Sequence, residues 1–219
     1  MVDTKADATF VTDADRQAEE AIRDVVAASG RGESVLGEEF GDDGGDVRWI
    51  VDPIDGTTSF MRGIPIWGTL LALEKDGVVE LGLASAPALR GRWWATRGGG
   101  AFVNGTRCEV SRVAAIEDAA VSTTSQRRMP PGWRTIVDRA RSNRGLGDFW
   151  HHCLVAQGSL DVATDGPYMR IWDFSAVQII VEEGGGRCTT LDGAAPSDGS
   201  SFVSTNGRLH PEVVSLLSR

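Results

Sequence analysis

The chain has 219 residues, 41% hydrophobic and 24% charged, with a formal net charge of −9, which suits one large or two small soluble domains. Residues 1–60 carry 15 Asp and Glu against 5 Lys and Arg, while the remainder is nearly neutral, so no basic face is offered to a nucleic-acid backbone. No apolar run is long enough to span a bilayer; "MVDTKADATF" is no signal peptide; and three scattered cysteines, Cys108, Cys153 and Cys188, fit reduced thiols in a cytoplasmic protein.

In chain order, "TDADRQAEEAIRDVVAAS" (12–29) predicts an amphipathic helix with Ala18, Ile22, Val25 and Val26 on its apolar side. Thr12 and Asp15 stand at capping-box spacing. "SVLGEEF" (34–40) and "VRWIVD" (47–52) predict strands, "PIDG" a turn, and a helix is expected from about Thr57. Residues 66–75 and 78–86 predict a hairpin through Asp76-Gly77, continued by "RWWAT", "GGGAFV" and "TRCEV" with a further turn at Asn104-Gly105. The rhythm then changes. "AAVSTT" predicts a strand, 133–141 and 148–158 helices, "LDVATD" a strand, and 173–186 a helix ended by glycines. "RCTTL", "SFVST" and a helix from Pro211 complete the chain. A boundary near residues 111–118 divides it into a sheet-rich part, 1–113, and an alternating part, 114–219.

Two aspartates sit three apart in "WIVDPIDGTTSF" (49–60). Asp52 closes a predicted strand and Asp55 follows the turn, so both can reach one spot at the sheet's end. Glu38, in "LGEE", ends an earlier strand, and Asp173, in "IWDFSA", opens a later helix. Four bare carboxylates meeting there would raise one another's pKa values and cost stability. A pair or trio of Mg2+ ions removes the conflict, because hard cations take carboxylate, carbonyl and water oxygens. Gly56 allows close backbone approach, and the N–H groups of Gly56, Thr57 and Thr58 at a helix start make an anion site. Metal on one side and a helix N-terminus on the other suit a phosphate. Each motif alone has a plainer reading: D-P and D-G occur in surface turns, and Asp173 alone makes a good helix cap. The combination favours the metal site.

"GEE" (37–39), "WIVDPIDGTTSF" (49–60) and "WDFSAVQIIVEEGGG" (172–186) resemble the three signature segments of the inositol monophosphatase family, whose members are Mg2+-dependent, lithium-sensitive phosphatases. The resemblance runs from "VTDAD" (11–15) to "STNGRLH" (204–210). The flanks "FMRGIPIWGTLLAL", "PALRGRWWATRGGGAF" and "RGLGDFWHHCLVAQGSLDVA" look most like the bacterial histidinol-phosphatase branch. It implies a layered α/β fold, α-β-α-β-α, usually as a homodimer. Family members carry further helices ahead of the stretch matching "KADATFVTDAD", so the N-terminal helical part is expected to be shortened.

Carried over by position, the resemblance implies that Glu38, Asp52 and the Ile54 carbonyl hold one metal, and Asp52, Asp55 and Asp173 a second. A third would lean on Glu38. Gly56 and Thr57 would bind phosphate, and the Thr57 hydroxyl would pair with Asp15. Glu38, Thr57 and Asp15 are then the catalytic set, acting on a small phosphate monoester. Asp148, Asp165 and Arg170 are the candidates for binding the leaving group, each equally readable as a cap or surface charge. His151 and His152 are adjacent on a predicted helix, so at most one is expected to face inward. The arginine-rich run 127–144 reads as a solvated face. Histidinol phosphate is the expected substrate and inositol 1-phosphate the alternative; a non-catalytic metal- or phosphate-binding protein of the same fold is the other class.

Overall fold

The computed structural model describes residues 2–4 and 10–218. A short antiparallel pair, β1 (Val2–Thr4) and β2 (Phe10–Thr12), leads into helix α1 (Asp13–Ala28). The expected capping box starts it: Asp15 N–H donates to Thr12 Oγ1, and Thr12 N–H donates to Asp15 Oδ2 at 2.8 Å. The segment "KADAT", ahead of which the shortening was expected, lies outside the described residues.

β3 (Ser34–Gly37), β4 (Gly41–Asp42) and β5 (Val47–Asp55) follow, then the short helix α2 (Thr57–Met61). A meander completes the first sheet: β6 (Gly68–Lys75), β7 (Val78–Ala86), β8 (Gly91–Thr96), β9 (Gly100–Val103) and β10 (Thr106–Arg107). The order is β10-β9-β8-β7-β6-β5-β3-β4, with β3 and β5 parallel. Both expected hairpin turns carry left-handed residues: Asp76 and Gly77 have φ of 51° and 76°, Asn104 and Gly105 of 48° and 84°. That conformation matches the twist of the flanking strands.

β5 runs through Pro53 to Asp55, where the sequence reading has a turn. Its pairing with β6 slips between Asp52 and Asp55, and Pro53 sits in the slip, where its missing N–H costs no ladder bond. In a regular strand, residues three apart face opposite sides. The slip instead lets Asp52 and Asp55 converge.

The second half contributes β11 (Ala120–Thr123), α3 (Pro131–Arg139), β12 (Ser142–Arg144), α4 (Asp148–Ala156), β13 (Val162–Met169), α5 (Ile171–Glu183), β14 (Arg187–Thr189), β15 (Ser200–Thr205) and α6 (His210–Leu217). Its five strands form a mixed sheet, β12-β11-β13-β15-β14. β12, "SNR", is not foreseen from sequence; it is polar and held only as a parallel edge strand beside β11.

α1 packs against β5 and β3 of the large sheet. α4 and α5 lie between the sheets: α5 packs on β5 to β9 on one side and, with α4, on β15 on the other. α3 and α6 cover the far side of the small sheet, where Trp133, Ile136 and Val213 pack with Val121, Val162 and Val203. These are the five expected layers, α-β-α-β-α. The central core joins Ile50, Leu70 and Ala84 of the large sheet to Phe149, Phe174 and Val177 of the helices and Phe202 of the small sheet. Burying each such large side chain stabilises by roughly 1.5–3 kcal/mol. Ser175 to Val177 and Ile179 to Val181 of α5 are all buried, as a helix between two sheets requires. No helix among the described residues is long and apolar enough to cross a membrane.

Candidate active site

Three carboxylates converge where the large sheet meets the central helices. Asp52 and Asp55 come from the end of β5, and Asp173 from the first turn of α5; each offers one oxygen within 4.8 Å of the others. The surrounding backbone orients them. Phe149 N–H, at the start of α4, donates to Asp55 Oδ2 at 2.6 Å. Arg170 N–H donates to Asp173 Oδ2, also at 2.6 Å. Asp52 is 2% exposed, and its Oδ1 is buried with no hydrogen-bond partner among the described residues. An orphaned buried carboxylate oxygen is costly.

The charges record the same conflict. Burial, then Glu38, Asp55 and Asp173, push the Asp52 carboxyl well up. Burial, then Asp148 and Asp173, do the same to Asp55. Burial lifts Asp173 to about 7, with Glu38 and Asp165 adding to it and the Arg170 N–H opposing it. Buried acids that repel one another are what a hard divalent cation relieves. The residues fit such an ion, and the orphaned Asp52 oxygen is the observation that says so.

Glu38 stands in the turn after β3, outside that trio but close enough to raise both Asp52 and Asp173. Its N–H donates to Val51 O at 3.2 Å, which ties the turn to β5. Gly56 caps α2 with φ 83°. A Cβ there would meet Ile66 O at 2.8 Å and Asp148 Oδ2 at 3.1 Å, so both the backbone conformation and the space call for glycine.

Thr57 and Asp15, expected to pair, each have another hydrogen-bond partner in the structure. Thr57 Oγ1 donates to Ile54 O at 3.1 Å, and a hydroxyl has one proton to give. Asp15, 1% exposed, is engaged by Thr12 in the capping box. The Ile54 carbonyl keeps a second lone pair.

The leaving-group candidates separate. Asp148 and Asp165 line a cavity of ≈ 180 Å³ together with Asp55 and Asp173. Arg170 lies elsewhere, on a groove of ≈ 740 Å³ that also touches Glu38 and Asp173. Its Nε donates to Asp198 Oδ1 at 2.9 Å, and its guanidinium lies 4.8 Å from the Trp172 ring centre. Asp148 has a left-handed backbone, φ 53°, a strained state for a non-glycine residue. Burial, then Asp165, lift its carboxyl to about 6. Within the arginine-rich run, Arg134 pairs with Asp138, and Arg139 with Glu117 and Glu212, each at 2.8 Å.

Sequence reasoning misses two sets of residues. Glu19, on α1 and 0% exposed, accepts the N–H groups of Glu39 and Phe40. His151 and His152 are both fully buried, against the expectation that at most one faces inward. α4 lies between two sheets, so neighbouring side chains on different faces are both enclosed. The signal available is the near-continuous apolar run around them, "FWHHCLVA".

The profile of the inositol monophosphatase family matches residues 1–219. A histidinol-phosphatase of Mycobacterium tuberculosis is 47% identical over 229 residues, which cover 99% of this chain and 88% of that protein. The solved structure of an IMPase from Thermotoga maritima superposes with a TM-score of 0.93 at 34% identity, over 100% of this chain and 87% of that one. An IMPase/NADP phosphatase solved with Mg2+ and phosphate gives 0.90 at 26% identity, over 99% and 85%. With its profile matched from end to end and its layers superposed on those of solved members, the chain belongs to the inositol monophosphatase family.

Proposed function

We propose that the protein hydrolyses L-histidinol phosphate to L-histidinol and phosphate, a step of histidine biosynthesis, with Mg2+ as cofactor. That it is a phosphomonoesterase follows from its family and relatives. The observation that carries the metal-dependent reading is the buried Asp52–Asp55–Asp173 cluster with its unpartnered Asp52 oxygen. The histidinol-phosphatase at 47% identity supports the substrate, and the neighbour solved with Mg2+ and phosphate supports the cofactor.

Two or three Mg2+ ions per site would be held by Glu38, Asp52, the Ile54 carbonyl, Asp55 and Asp173, and they supply charge neutralisation and water activation. Glu38 accepts a proton from the attacking water. Gly56 and Thr57 hold phosphate oxygens through their backbone N–H groups. The new P–O bond forms as the ester P–O bond breaks, and the alcohol leaves with a proton from solvent. Asp148 and Asp165, facing one cavity, receive the substrate's ammonium. Desolvated pairing of this kind discriminates because an analogue without the cation leaves the acid unpaired. The protein acts as a cytoplasmic homodimer, with no nucleic-acid or membrane partner.

Inositol 1-phosphate is the second reading, supported by the T. maritima IMPase. A non-catalytic metal-binding role is disfavoured by the full acid set. The test is phosphate release from both esters with and without Mg2+. The expected kcat/KM for histidinol phosphate is at least about tenfold higher, ~1.4 kcal/mol. A better rate on inositol 1-phosphate overturns the substrate. Release without Mg2+ overturns the metal.

A further inference from the structure

The metal cluster makes no use of His151 and His152, yet both converge on a residue that the proposed function does use. His151 Nε2 lies 3.0 Å and His152 Nε2 2.9 Å from the same oxygen, Asp165 Oδ2. Their far nitrogens are held as well. His151 Nδ1 is 3.2 Å from Ser122 Oγ, and His152 Nδ1 bonds Ser204 Oγ. Ser122 Oγ also accepts the Leu146 N–H at 3.3 Å, and the two Nε2 atoms lie 2.9 Å from each other, so both rings and the carboxylate close on one point at Asp165 Oδ2.

The other oxygen of Asp165 is differently placed. Oδ1 makes no hydrogen bond among the described residues and is not among the enclosed, unpartnered atoms. Asp165 also lines the ≈ 180 Å³ cavity with Asp148, Asp55 and Asp173. One oxygen is thus tied to the core and the other faces the space next to the metal acids.

The charge balance suits a receptor for a cation. Burial, then the neighbouring imidazole, push His152 down to about 4, so at neutral pH it donates a hydrogen bond without carrying charge. Burial acts to raise the Asp165 carboxyl, but the two imidazoles outweigh it and hold it well below the usual carboxylate range. A carboxylate held in its ionised form keeps a negative charge for a cation in the cavity it lines.

We propose that His151 and His152 are positioning residues that brace Asp165 as the receptor for the substrate's ammonium group, and so set the preference for an amino-alcohol phosphate over an uncharged one. This deepens the function proposed above and rests on it. The network runs Ser122–His151–Asp165–His152–Ser204, from β11 through α4 and β13 to β15. Three strands of the small sheet therefore set the rotamer of one carboxylate at the active site.

The test uses the full chain with Mg2+ and two esters, L-histidinol phosphate and glycerol 2-phosphate, which lacks an ammonium. His152→Leu and His151→Leu remove the donor at similar volume; His152→Gln and His151→Gln restore one. The leucine variants are expected to lower the preference, the ratio of the two kcat/KM values, about tenfold, chiefly by raising KM for histidinol phosphate. The glutamine variants recover most of that preference. Asp165→Asn causes the same loss, and adding His152→Leu to it causes little more, as residues acting as one unit do. If the leucine variants do not fold, Ser122→Ala and Ser204→Ala, which free the histidine tautomers, are expected to lower the preference about threefold.

A folded leucine variant that keeps the preference within about twofold, or loses activity on both esters alike, overturns this inference alone. Stoichiometric zinc in the purified protein that is lost in His152→Leu would make the cluster a metal site and also overturn it. An unmodified protein with no preference for histidinol phosphate overturns the proposed substrate and, with it, this reading.

Discussion

Glu19 Oε2 accepts the backbone N–H of Glu39 at 2.7 Å, so a residue of the first helix holds the turn that presents Glu38. Its Oε1 takes the Phe40 N–H at 3.2 Å and Arg23 Nε at 2.9 Å. Gly37 makes the approach possible, since a Cβ there would lie 1.9 Å from Glu19 Oε1. The carboxylate is therefore a cap for a loop rather than a surface charge.

Glu19→Gln keeps the shape but removes one of the two anionic acceptors. It is expected to cost ~1–3 kcal/mol of stability and to lower kcat about tenfold, ~1.4 kcal/mol, through Glu38. Thermal unfolding and steady-state rates check it. A folded variant with unchanged kcat would show that Glu19 supports the fold and not the reaction.

Asp52→Asn relieves the buried charge and removes a proposed ligand. Without Mg2+ the variant is expected to be at least as heat-stable as the unmodified protein. With Mg2+ it should gain little, because only binding to the folded state raises the melting temperature. Activity should fall below about a thousandth, ~4 kcal/mol of barrier. A full Mg2+-induced rise in Tm would remove Asp52 from the metal site.

The pH dependence of the metal-free protein follows from the same acids. Asp52, Asp55 and Asp173 all have raised folded values, Asp173 to about 7 and Asp148 to about 6, against an ordinary 3.8. A raised carboxyl binds its proton more tightly in the folded state, so its contribution is present below the unfolded value and lost as pH rises through the folded one. His152 and His210, both held down to about 4, act the other way up to about pH 6.5, but the four raised acids outnumber them, so metal-free Tm should fall between about pH 4 and pH 7, and the gain from Mg2+ should grow across the same window. A metal-free Tm that rises through that interval would contradict the raised values.

Thr57→Ala and Asp15→Asn are expected to act independently. Thr57 bonds Ile54 O and Asp15 belongs to the capping box with Thr12. Asp15→Asn should cost about 1 kcal/mol of stability, and the two effects on kcat should add within ~0.5 kcal/mol. A double variant no worse than either single one would restore the coupled pair that the family resemblance implies.

How much of this is legible in the sequence depends on how local the cause is. The hairpins are legible because Asp76-Gly77 and Asn104-Gly105 specify their own backbone. The start of α1 is legible because Thr12 and Asp15 satisfy each other within one turn. The convergence of Asp52, Asp55 and Asp173 is legible from element ends, but its geometry is not. It needs the slip at Pro53, which depends on the β6 neighbour. β12 has no pattern of its own and exists because β11 offers an edge. Glu19 and the His151–His152 pair are hidden for the same reason: their partners lie 20 and 13–14 residues away or more, and only the packed layers bring them together.

The position of α5 has a consequence for how the chain comes to be folded at all. It starts some 85 residues after β7 ends, yet covers that strand so closely that a Cβ on Gly82 would meet Ala176 O at 2.5 Å. During synthesis the meander therefore emerges with Leu70, Ala72 and Ala84 facing nothing, until a much later segment leaves the ribosome. Contacts this distant in sequence are slow to form, and an uncovered apolar sheet is open to aggregation meanwhile. Residues 1–113 expressed alone should be insoluble or chaperone-bound, and become soluble when 114–219 is supplied in the same cell. Because α5 also carries Asp173, the acid cluster is completed only when this sheet is covered. A nascent chain then cannot complete this acid cluster before its folding is nearly over.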